Sequence, residues 1–90
     1  MPKRVDSNQA YIVEGLRAFG ASVTDLHAVG KGCPDILVGY RGNTYILEIK
    51  GLEGRLTRPE AAWAASWTGG HYAVVRTLEQ AIDFITAEDE

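Results

Sequence analysis

Two stretches decide the fold: Asp35-Ile-Leu-Val-Gly-Tyr40 and Thr44-Tyr-Ile-Leu-Glu-Ile-Lys50, separated by Arg41-Gly42-Asn43. Both are short, rich in β-branched and aromatic residues and bounded by turn formers, so they read as two strands of one hairpin. Side chains alternate between the faces of a strand, which puts Glu48 and Lys50 on one face, two residues apart. With the turn at Gly42-Asn43, Arg41 pairs with Thr44, Leu37 with Glu48, and Asp35 with Lys50. Asp35 then shares the face of Glu48 and Lys50, diagonal to the carboxylate. Two acids and a lysine converge at the open end of a hairpin whose other positions are apolar.

The rest of the chain supplies partners for this hairpin. Residues 1–6 read as a loose arm. Ser7 or Asn8 can cap a helix running to about Phe19, with Gly20 ending it and Ile12, Val13, Leu16 and Phe19 as its apolar stripe. Residues 22–27 alternate like a strand, and residues 29–34 form a Gly-rich loop holding Gly30 and Gly32. After a second loop over 51–56, Thr57-Arg-Pro-Glu60 reads as a capping box opening a helix that ends near Gly69-Gly70. Residues 71–76 form a further strand. Thr77-Leu-Glu-Gln80 is a possible second capping box, opening a last helix to about Ala87. The order is αβββαβα, and the helix between the third and fourth strands suits a crossover that makes those two strands parallel.

Ninety residues make one domain, 1–90, ending in the acidic tail 88–90. No apolar run approaches the ~20 residues a membrane helix needs, and the N-terminus shows no signal-peptide pattern. A lone Cys33 excludes an intramolecular disulfide and a Cys-rich zinc site. A cytoplasmic protein of a bacterial or phage-infected cell is expected. The net charge of −3 argues against a general nucleic-acid coat protein. It is compatible with a nuclease, because acids gathered in a metal site add negative charge. Lys31, Lys50, Arg55 and Arg58 cluster around the hairpin's open end.

Clustered carboxylates repel one another unless something positive joins them. A divalent cation does so: Mg²⁺ takes one or two protein carboxylates and keeps waters or phosphate oxygens. Such an ion polarises a phosphodiester and acidifies a bound water, and a neighbouring lysine can stabilise the developing charge. The same residues also fit a cross-strand Asp35–Lys50 salt bridge at a sheet edge with Glu48 solvated.

Gly32-Cys33-Pro34-Asp35 followed by Tyr45-Ile-Leu-Glu-Ile-Lys-Gly51 resembles the Pro-Asp…(Asp/Glu)-x-Lys nuclease signature. The layout around it resembles the virus-type replication-repair nuclease (VRR-Nuc) domain over nearly the whole chain. The likeness takes in Ala18-Phe19-Gly20, Arg55-Leu56-Thr57, the tryptophan-bearing helix and Ala73-Val-Val-Arg76. It implies a restriction-endonuclease-like α/β core, a four-stranded mixed sheet flanked by helices. It also implies that Asp35, Glu48 and the backbone carbonyl of Ile49 hold Mg²⁺ or Mn²⁺, and that Lys50 assists hydrolysis of DNA. Stand-alone members are similar to Holliday-junction resolvases, which implies a homodimer cutting branched DNA, two sites for two strands.

The chain departs from that pattern twice. The first helix carries Gln9 where the family usually has an acid. Gln9 shares a face with Ile12, Val13 and Leu16, whereas Glu14 lies roughly 140° away and faces water. The second helix carries Glu60 where a Gln is usual, on a face with Trp63, Ala64 and Trp67. An exchange is one reading, with Glu60 supplying the missing carboxylate and Gln9 the amide. A plain capping role for Glu60 is the other. Lys31, Arg55 and Arg58 read as surface charge or phosphate contacts. Trp63 and Trp67 read as core or subunit-interface packing. Cys33 reads as a small half-buried residue. The rival class is a non-catalytic nucleic-acid-binding module that kept the fold, and Gln9 gives it weight.

Overall fold

A computed structural model describes residues 3–87, with side chains from Asn8 onward; the acidic tail 88–90 lies outside the described residues. The elements are α1 (Lys3–Phe19), β1 (Ser22–Asp25), a 3-10 turn (His27–Val29), β2 (Ile36–Tyr40), β3 (Asn43–Ile49), α2 (Arg58–Ser66), β4 (Tyr72–Val75) and α3 (Leu78–Thr86). The four strands form one sheet in the order β1-β2-β3-β4. β1, β2 and β3 pair antiparallel, and β3 pairs parallel with β4 across α2, as the crossover predicts.

One face of the sheet holds the core. Ile12 and Leu16 of α1, and Ala81 and Ile85 of α3, pack with Ile36, Val38, Tyr45, Leu47, Ile49 and Val75. Burial of these side chains is the main favourable term for a chain this small. The Tyr45 hydroxyl is satisfied inside this core by donating to the Ile85 carbonyl at 3.1 Å. Phe19, expected in the core stripe, is instead 42% exposed and packs against Tyr40.

Local structure departs from expectation in five places. Residues 3–6 belong to α1 and not to an arm, so neither Ser7 nor Asn8 caps that helix. The first strand stops at Asp25, where the Asp25 carboxylate accepts the His27 N–H at 2.7 Å and turns the chain into the 3-10 turn. The hairpin turn is Arg41-Gly42, with Tyr40 opposite Asn43. Both turn residues have positive φ, 53° and 82°, which is the twist a two-residue hairpin requires and which Gly42 adopts freely. α2 ends at Ser66, because Trp67 is extended and its indole N–H closes back on the Gly70 carbonyl at 3.2 Å. Thr77 caps α3, but Gln80 accepts the Arg76 N–H at 2.7 Å rather than completing a box.

Candidate active site

The corrected turn shifts the hairpin register by two residues: Ile36 faces Leu47 and Leu37 faces Ile46. An even shift leaves each side chain on its own face, so Glu48 and Lys50 still lie opposite the core. Asp35 is not opposite Lys50. Its N–H donates to the Leu47 carbonyl at 3.1 Å, although Leu47 is already the partner of Ile36. Two residues of one strand thus oppose one of the other, as in a β-bulge. Asp35 Oδ2 accepts the Ile49 N–H at 2.7 Å, which clamps the carboxylate to β3.

The site sits at the carboxyl ends of the parallel pair β3 and β4, where the Lys50 N–H donates to the Val75 carbonyl at 3.1 Å. Glu48 is the single buried charged side chain among the described residues, 2% exposed, so it is not the solvated group of the salt-bridge reading. Its Oε1 has no hydrogen-bond partner. Burial, then the Asp35 and Glu60 charges, then a hydrogen bond with Asp35 push its carboxyl up to about 8, with Lys50 opposing.

Lys50 pairs with Glu60 at 2.7 Å and Glu48 at 3.9 Å. Glu60 Oε1 also accepts the Thr57 N–H at 2.8 Å, while Thr57 Oγ1 accepts the Glu60 N–H at 3.3 Å. The capping box is therefore real, and the same carboxylate reaches the site. Burial works to raise the Glu60 carboxyl, but hydrogen bonds from Lys50 and the Thr57 backbone hold it below its ordinary value. The start of α2 is seated by Gly32, whose φ is +83° and where a Cβ would stand 2.2 Å from the Pro59 carbonyl oxygen. No other residue fits that approach.

Gln9 and Glu60 do not meet in an exchange. Gln9 lines a cavity of about 350 Å³ with Val13, Arg17, Asp25 and His27, on the α1 side of the sheet. Among the described side chains of α1, Asn8 reaches the site: its Nδ2 donates to the Lys50 carbonyl at 3.2 Å. Sequence reasoning misses it, because a later helix start makes Asn8 a candidate cap. Tyr72 was also missed. It stands opposite Ile46, and burial plus the Glu48, Glu60 and Asp35 charges raise its phenol. Pairing β4 parallel to β3 in register was the signal that could have found it.

Lys31, Arg55 and Arg58 are exposed. Cys33 is half-buried, and its thiol is raised by burial and by the Glu48 and Asp35 charges, so it stays protonated. Trp63 and Trp67 stack on each other with centroids 4.9 Å apart, Trp67 being 39% exposed, so the pair caps the α2 face without entering the core.

Among the described residues, no group of three or more His, Cys, Asp or Glu side chains is arranged to hold a metal. Asp35, Glu48 and the Ile49 carbonyl nevertheless fit a hard, partly hydrated cation. Glu48 offers a buried oxygen with no partner, and its repulsion from Asp35 is what such an ion relieves. Over 90% of its length the chain superposes on a solved structure described as a VRR_NUC domain, with a TM-score of 0.72 and 92% of that chain covered. The fold is that of a VRR_NUC domain. Sequence identity to that structure is 24%. No protein-family profile matches the sequence, and no curated protein does. The VRR_NUC fold accounts for the restriction-endonuclease-like α/β architecture, a mixed four-stranded sheet flanked by helices.

Proposed function

We propose that this chain is a metal-dependent DNA endonuclease. The observation that carries the reading is the meeting of Asp35, buried Glu48 with its unpartnered Oε1, and Lys50 at one end of a VRR_NUC fold. In this reading Asp35, Glu48 and the Ile49 carbonyl hold Mg²⁺ or Mn²⁺. When bound, the ion supplies phosphate charge neutralisation and an acidified water. The chain's own part is positional. The Ile49 N–H fixes the Asp35 carboxylate, and Glu60 holds the Lys50 ammonium beside Glu48. From there the ammonium can hydrogen-bond a non-bridging phosphate oxygen as negative charge grows on it. Lys31, Arg55 and Arg58 bind flanking phosphates.

The proposed substrate is branched DNA such as a four-way junction, cut by a homodimer. One copy of the domain offers one such site, so two-fold symmetry would supply a second site for the second strand.

The test incubates the protein with labelled four-way junction, flap and linear duplex DNA in Mg²⁺, Mn²⁺ or EDTA, beside Lys50→Ala. Metal-dependent cutting that the variant loses is expected, with junctions cut fastest and a dimer in sedimentation. Tight DNA binding with no cleavage in either metal would overturn the enzyme in favour of a binding module.

A further inference from the structure

The loop that follows Lys50 is rich in glycine and yet tied down. Gly51 and Gly54 flank Leu52 and Glu53, a composition that is costly to hold in one conformation. Arg76, at the end of β4, reaches across to it. Its Nη1 donates to the carbonyls of Gly51 at 2.5 Å and Gly54 at 2.8 Å, with the Leu52 carbonyl at 3.5 Å. The Gly54 N–H closes the turn on the Gly51 carbonyl at 3.1 Å. From the other side Asn8 holds the Lys50 carbonyl. Leu52 stands on this braced backbone 76% exposed, the most exposed large apolar side chain among the described residues.

A lone exposed leucine is ordinary on a protein surface. This one differs in its mounting: a guanidinium is spent on three carbonyls to fix the loop, beside the proposed reaction centre. We propose that the 51–54 loop is a preformed DNA-contact element in which Arg76 braces the backbone and Leu52 is an apolar wedge entering a base step beside the phosphodiester at Lys50. The proposal rests on the nuclease reading and names how that site grips its substrate. Leu52 lies two residues past Lys50, at most about 7 Å along the chain. Successive phosphates of one strand are spaced roughly 3.4 Å along the helix axis, so the wedge reaches within about two base steps of the bond held at Lys50. Arg55, exposed just beyond the loop, suits a flanking phosphate, while exposed Glu53 opposes one at the tip. The tip therefore meets bases and its flank meets the backbone. Inserting leucine costs unstacking, which is least where pairing is already interrupted, so the wedge favours a branch point.

The test binds the full chain, in Ca²⁺ to withhold cleavage, to a four-way junction carrying 2-aminopurine at each base step around the branch. Wild type should raise fluorescence at one step. Leu52→Ser should bind about tenfold more weakly, without that rise. Arg55→Ala should keep the rise and lower the salt-dependence slope by about one. Arg76→Ala should speed amide exchange over 51–54 in the free protein. Should Arg76→Ala fail to fold, Leu52→Ser still decides the matter, because its side chain is on the surface. Wild-type affinity and fluorescence from Leu52→Ser, alongside normal junction cleavage by wild type, overturns the wedge and leaves the nuclease standing. Wild type that neither binds nor cuts DNA overturns the nuclease reading itself.

Discussion

Glu60 Oε1 stands 2.7 Å from the Lys50 ammonium and at the same time accepts the Thr57 N–H at 2.8 Å. A helix cap thus doubles as the charge partner of the site lysine. The carboxylate is turned toward a cation of the chain itself, and more closely than Glu48, which stands 3.9 Å from the same ammonium.

Glu60→Gln separates the two duties. A glutamine serves a capping box as well as a glutamate, so thermal stability should change little. The charged partner of Lys50 is lost, and single-turnover junction cleavage should fall about tenfold or more. Cleavage at the wild-type rate would show that Glu60 is only a cap.

Glu48 should make the metal-free protein less stable as pH rises. Its folded carboxyl is raised from 4.5 to about 8, so between those values the folded state keeps a proton that the unfolded state has released. Stability is therefore greatest below about 4.5 on this group's account and is lost as pH climbs toward 8. Urea unfolding in EDTA across that window should show the decline in wild type and a flatter profile in Glu48→Gln. Bound metal needs the carboxylate, so added Mg²⁺ should shrink the decline in wild type.

Gly32→Ala should damage the site without touching a charged group. The new Cβ meets the Pro59 carbonyl oxygen at 2.2 Å, on a backbone of φ +83°. Destabilisation of about 1–3 kcal/mol is expected from strain and overpacking together, read by urea melts. Displacing Pro59 also moves Glu60 from Lys50, so cleavage should fall further than stability explains.

Tyr45→Phe tests the core independently of the site. The hydroxyl is buried and donates to the Ile85 carbonyl at 3.1 Å, anchoring the end of α3. Its removal deletes that hydrogen bond, at a cost of about 0.5–1.5 kcal/mol. Thermal melts should show the loss while metal-dependent cleavage at low temperature persists.

The element order was legible because each element carries its own local signal: the alternation of β2 and β3, the Thr57 box before α2, the parallel return of β4. The register was less legible. Arg41-Gly42-Asn43 offers two adjacent two-residue turns, and only the positive φ at both Arg41 and Gly42 selects one. The choice moved the pairing by an even number of residues, so the faces survived the error. A shift of one would have buried Lys50 and exposed Leu47.

What local chemistry could settle was which residues share a face, and hence that an aspartate, a glutamate and a lysine meet at the end of a hairpin. Period-two alternation is a property of the backbone and needs no neighbours. Folding decided which groups from distant elements complete that meeting. Glu60 reaches Lys50 because Gly32 lets α2 settle on the loop before Asp35. Asn8 rather than Gln9 arrives from α1, because the helix begins earlier and its rotation against the sheet is set by the burial of Ile12 and Leu16. Such contacts depend on how helices pack, a sum over many side chains that no short stretch of sequence contains.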